Sequence, residues 1–255
     1  MGFKTKRGRG QVSGFTILGI IIVAVVVLLF FLRGQLGIVL PGSLKSTDII
    51  EHVHECLKET APEYIERLGR QGGYLSTPEG TFRPYEDVPV SYLCYSIEKQ
   101  PNCRNRMLTL EDMQKELANA IGKGLDTCID YGSFRKRGYD LSAGQMDIVV
   151  EIGKDITRVT MKQSIRMTKG DVVVSEEEFS ENFDYPLGRL YDVSQEIVNV
   201  EATAGEFDQM PFMLAHKGEY IIDKKRPYPD KLYIMQTKDS PYVFQFFIEG
   251  EPTAT

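Results

Sequence analysis

Tryptophan is absent from this 255-residue chain, and histidine and cysteine are scarce, at three and four residues. Histidine-based acid–base chemistry therefore has only His52, His54 and His216 to draw on. No C-x-x-C pair occurs, which disfavours a zinc ribbon or a thioredoxin-type redox site. G-x-G-x-x-G, Walker A and G-x-S-x-G sequences are also missing, so no dinucleotide fingerprint, phosphate loop or nucleophile elbow is present. There is no internal repeat and no low-complexity tract.

Acidic residues are missing from the first 37 positions, which carry Lys4, Lys6, Arg7, Arg9 and Arg33. Of the 30 Lys and Arg residues these five lie there, leaving 25 against all 36 acids in the remainder, a net of −11. So acidic a domain repels phosphate backbones, and nucleic acid is excluded as an expected partner.

Charge of either sign is absent from Gly10 to Leu32, a run of 23 residues. At about 1.5 Å per residue, roughly 20 residues cross the hydrocarbon core of a bilayer. The run exceeds the usual apolar length of a cleaved signal, and no small-x-small site comes after it. The expectation is an uncleaved single-pass anchor. Lys4, Lys6, Arg7 and Arg9 precede it, and only Arg33 comes between it and Lys45. The positive-inside rule then puts the N-terminus in the cytoplasm and the C-terminal domain outside the cell membrane. The expected organisation is a basic arm over 1–13, a transmembrane helix over 14–33, a spacer over 34–45, an extracytoplasmic domain over 46–249 and a frayed tail over 250–255.

Beyond Pro41-Gly42 the pattern turns helical at Asp48, with Ile49, Val53, Cys56, Leu57, Thr60, Ala61, Tyr64, Ile65 and Leu68 on one face. Pro62 is expected to kink that helix or to begin a second one. Val88–Ile97 reads as a strand. Thr109 reads as the N-cap of a helix with Met113, Leu117, Ile121 and Leu125 on its apolar face, and Leu108 and Met113 as a hydrophobic staple. A meander comes next, alternating over 146–152 and 159–167 and turning at Lys169-Gly170-Asp171 into a third strand that ends near Phe183. A helix from Pro186 and strands over 232–237 and 242–248 complete an α+β domain, with helices packed on an antiparallel sheet.

Several of these segments resemble a family of uncharacterised archaeal single-pass membrane proteins found in small-genome archaea. The matching residues are Gly10-Gln11-Val12-Ser13, Phe15 to Ile20, Leu68-Gly69-Arg70-Gln71-Gly72-Gly73-Tyr74, the helix from Leu108 to Cys128, and Leu187 to Tyr191. The resemblance implies the anchor and the outer domain, and no activity. Arg9-Gly10-Gln11-Val12-Ser13 is also similar to archaeal pilin leaders, which are cut after the glycine. The acid those leaders carry shortly after the cut is replaced here by Gly14 and Phe15.

All four cysteines, Cys56, Cys94, Cys103 and Cys128, lie on the side expected to be oxidising, so disulfides are expected, with three possible connectivities. Cys94 and Cys103 flank the turn-forming Pro101-Asn102, which pairs them and leaves Cys56 with Cys128; buried free thiols are the alternative. His52 and His54 in Glu51-His52-Val53-His54-Glu55 would project about 200° apart on a helix, and so cannot share an ion. His52 and Cys56 could, unless a disulfide claims the sulfur. His216 stands alone in a loop, and Glu176-Glu177-Glu178 reads as a solvated hairpin.

With neither catalytic nor cofactor residues to name, the leading expectation is an anchored envelope protein. Its partners would be the bilayer and another envelope protein or the surface layer. The face holding Thr160, Lys162, Ser164 and Arg166 reads as a plain solvated sheet face, with a contact surface as the alternative. A filament subunit processed after Gly10 and an envelope hydrolase are the alternatives.

Overall fold

The computed structural model describes Ile22, residues 48–96 and residues 103–250. Apart from Ile22, the expected basic arm, spanning segment and spacer lie outside the described residues. Among those described, no helix is long and apolar enough to cross a membrane. The chain divides into two units, Met1–Lys45 and Ser46–Thr255. The second unit is an α+β domain with one main core.

Helix α1 (Asp48–Arg70) buries Ile49, Val53, Cys56, Leu57, Ala61, Ile65 and Leu68, while Thr60 and Tyr64, also expected on that face, are only half-buried at its margin. It runs through Pro62 as one element, so no second helix begins there. A mid-helix proline costs about 3 kcal/mol. Each fully buried large apolar side chain contributes roughly 2 kcal/mol, and the stripe has several on either side of Pro62. Burial wins.

Two sheets flank this helix, and here the expectation of a single antiparallel sheet is corrected. In the first, β1 (Phe82–Tyr85), β2 (Val88–Tyr95), β10 (Phe244–Ile248), β9 (Lys231–Thr237) and β8 (Tyr220–Lys225) lie in that order, and the two-residue β3 (Arg104–Asn105) pairs with β2. β2 and β10 run parallel, which makes the sheet mixed. The second is antiparallel: β6 (Thr157–Lys169) pairs along one edge with β4 (Asp140–Ala143) and β5 (Asp147–Ile152), and along the other with β7 (Val172–Phe183).

α1 packs against β7 of one sheet and β10 of the other, and α2 (Leu110–Cys128) packs on α1 and β5. Thr109 caps α2, its side chain accepting from the Asp112 N–H. Met113 is fully buried and Leu108 packs on the core, as a hydrophobic staple requires. α3 (Tyr131–Lys136), α4 (Leu187–Ala204) and α5 (Gln209–Ala215) complete the domain. α4 lies on β2, β3, β9 and β10. Phe244 and Phe246 face the main core; Phe247 turns to the opposite side, onto Val90 and Leu232.

Candidate functional site

Glu201, in the last turn of α4, is the most deeply buried acid in the described residues, with a side chain 1% exposed. Its Oε1 accepts from the Phe207 N–H at 3.1 Å and from the Tyr233 hydroxyl. Oε2 accepts from Lys231 Nζ at 2.6 Å. Lys224 Nζ stands 3.8 Å from Oε1 and donates to the Phe207 carbonyl at 2.6 Å. Glu206, just past the helix, takes Lys224, Lys231 at 3.0 Å and Arg226 at 2.6 Å. Burial would raise its carboxyl, but hydrogen bonds from Lys224 and Lys231 outweigh that and hold it down at about 2. The Tyr233 hydroxyl is pushed up by burial and by its bond to Glu201.

The cluster forms one wall of a cleft of ≈ 360 Å³, closed by Cys103, Pro229, Ile248 and Glu249. Its chemistry is nevertheless spent internally. An ammonium has three donors. Those of Lys231 are matched by Glu201, Glu206 and the Gly205 carbonyl. Such a network clamps the end of α4 to β8 and β9, and leaves no basic group poised to attack. A second clamp joins β1, β2 and the β8–β9 loop: Asp230, 6% exposed, accepts from Arg83 at 2.6 Å and Tyr92 at 2.7 Å.

His52 and His54 point to different neighbours, as their separation around the helix requires. His54 Nδ1 lies 2.7 Å from Glu181 of β7, while His52 lies against the Phe134 ring. His52 Nε2 is 3.8 Å from Cys56 Sγ, but that sulfur is bonded to Cys128. Among the described residues no group of three or more His, Cys, Asp or Glu side chains could hold a metal ion. His216 ends α5, stacked on Phe212 with centroids 4.0 Å apart. Its Nδ1 lies 2.9 Å from the Phe212 carbonyl, an acceptor only, so Nδ1 carries the proton.

Two disulfides form, Cys56–Cys128 with Cα atoms 5.8 Å apart and Cys94–Cys103 at 5.2 Å. They join α1 to the end of α2, and β2 to the segment entering β3.

Of the expected solvated face on β6, Lys162, Ser164 and Arg166 are exposed. Thr160 is a correction: it is 7% exposed, and its hydroxyl meets Ser180 of β7 at 3.1 Å. Glu176, Glu177 and Glu178 lie on β7, the second strand of the β6–β7 hairpin, where Glu177 and Glu178 are exposed and Glu178 stands opposite Lys162.

The Glu201 cluster was not anticipated from the sequence. The one available signal is phase, since Glu201 falls four residues after Ile197 on the apolar face of α4.

The fold and its clamps define a disulfide-bonded α+β domain. No known protein family, curated protein or solved structure matches the chain.

Proposed function

We propose that this is a membrane-anchored envelope protein of the archaeal single-pass type that residues 10–20 and 68–74 resemble. Its domain stands outside the cell and works by binding another envelope protein through its surface. The observation that carries this reading is the pair of disulfides in the domain C-terminal to the uncharged run. Disulfides persist in oxidising compartments, and a basic N-terminus ahead of a single span directs the C-terminal portion out of the cytoplasm. The open strand face with Lys162, Ser164 and Arg166 offers the contact surface.

Protease added to intact cells should degrade residues beyond Leu40; protection of the whole domain would overturn the orientation. An impermeant amine-reactive crosslinker applied from outside should yield a defined adduct. The double change Lys162→Glu and Arg166→Glu should lower its amount several-fold. An unchanged yield removes this face as the contact.

The leader-like Arg9-Gly10-Gln11-Val12-Ser13 supports a second reading, a filament subunit cut after Gly10.

A further inference from the structure

In a domain of net charge −11, the arginines and lysines of the clamps are matched by acids, as at Arg83, Arg189, Lys224 and Lys231. One end of the second sheet differs. Arg135, Lys136 and Arg137 form an exposed triplet at the end of α3, and Lys169 and Arg166 close β6 beside it. None of these five makes an ion pair among the described residues. Lys169 Nζ instead lies 3.5 Å from the Arg137 carbonyl and 4.3 Å from the centre of the Tyr139 ring. The guanidinium of Arg137 lies over Phe134, and that of Arg135 bonds the Leu141 carbonyl. Asp140 and Asp171 are the acids on these strand ends, and Glu51 and Glu55 are exposed in the first two turns of α1, so the five basic groups outnumber these four acids.

The apolar partner of this patch is the tip of the β6–β7 hairpin. Lys169 pairs with Val172 and Thr168 with Val173, and Thr168 also pairs with Asp140 of β4. Gly170, at φ +59, makes the two-residue turn. Val172 and Val173 are each 52% exposed, an unusual outlay of β-branched surface at a turn otherwise built of polar residues.

This end is also where the chain enters the domain. α1 begins at Asp48, and His52, one turn in, lies 5.7 Å from Phe134, the residue before the triplet. The 14 residues from Gly34 to Thr47 reach at most about 50 Å, at roughly 3.6 Å each. On the reading that residues 14–33 span a bilayer, the domain is held within that distance of the lipid.

The geometry points to a lipid-contact face. Arg135, Lys136, Arg137 and Lys169 meet anionic phospholipid headgroups of the anchoring bilayer while Val172 and Val173 enter the interface. Basic groups near such a surface and a few aliphatic side chains dipping below the headgroups are the two terms that hold a domain against a membrane. The inference rests on the anchor reading.

The lack of tryptophan supplies the test. The full chain carrying Val173→Trp is placed in nanodiscs whose lipids bear bromine near the top of the acyl chains. With anionic phospholipid present, emission should shift to the blue and be quenched. Neutralising all three of Arg135, Lys136 and Arg137 to Gln should cut the ratio of quenched to unquenched protein on the order of a hundredfold, about fivefold per charge. Leu214→Trp, at an exposed apolar position on α5, should keep water-like emission. Water-like, unquenched emission from Val173→Trp while Ile22→Trp is quenched overturns the inference and leaves the anchor standing. Equal quenching at Leu214 also overturns it. Unquenched Ile22→Trp sinks the anchor reading, and this inference with it.

Discussion

Glu201 shows how a single acid can matter more to the fold than to chemistry. Removing one member of a buried, hydrogen-bonded ion network leaves the others desolvated without a partner, at a cost of about 3–5 kcal/mol. Glu201→Gln should therefore lower the unfolding free energy in urea by that amount, since Lys231 and Lys224 remain beneath the surface. Pairing Glu201→Leu with Lys231→Met should restore much of the loss, because an apolar substitute need not be desolvated. If Glu201→Gln unfolds like the parent chain, the clamp is not what holds α4.

Glu206 gives the pH dependence. Its folded value, about 2, lies below the ordinary 4.5, so its contribution is fully present above about 4.5 and is lost as pH falls towards 2. Stability measured between about pH 5 and about pH 2, limits that bracket that window, should slope more gently in Glu206→Gln than in the parent. Parallel slopes would contradict the assignment. Neither residue was legible in the sequence. An acid on a helix is ordinarily solvated, and what buries Glu201 is β9, thirty residues further on, whose Lys231 and Tyr233 meet it.

At the scale of elements, the periodic signals were readable because they are local. The α1 stripe, the Thr109 cap and the alternation along β5 and β6 all lie where periodicity puts them. Short pieces with no period of their own, β1, β3, α3, β4, α5 and β8, were missed. α3 is six residues long and owes its place to the Asp130 cap and to Phe134 in the core. The packing at the end of α1 was equally hidden. Gly69 sits where an added Cβ would come within 2.4 Å of the Val243 carbonyl and 2.5 Å of the Tyr242 hydroxyl. That hydroxyl is buried and donates to the Ile65 carbonyl. The backbone cannot yield without opening the approach to β10. Gly69→Ala should cost about 1–3 kcal/mol. Gly138→Ala meets nothing within 4 Å and tests only the positive φ of its turn, so it should cost less. Thermal unfolding of the two variants side by side decides the point.

Across the whole molecule, the pairing of distant segments is what the sequence conceals. β2 and β10 are separated by most of the domain, yet they lie side by side and parallel, with Phe247 opposite Tyr92 and Ile248 opposite Cys94. Nothing in an alternating or apolar run says which strand it will meet, or in which direction, so a mixed first sheet was expected to be antiparallel. Cysteine pairing was easier, because short loops and an even count narrow the choices. Cys56–Cys128 closes a separation of 72 residues, and by chain entropy contributes about 4 kcal/mol, whereas Cys94–Cys103 closes 9 and contributes nearer ~3 kcal/mol. The reading as an anchored, exported domain can therefore be tested on protein taken from its own membranes under alkylating conditions. Unreduced and denatured, it should take up no alkyl groups; after reduction it should take up four, one for each cysteine. The same intact-mass measurement reads the N-terminus. Retention of Met1 to Gly10 supports an uncleaved anchor, and loss of that decapeptide supports the filament reading. Free thiols in the unreduced protein would mean that the domain faces a reducing compartment, and the proposed orientation would then have to be reversed.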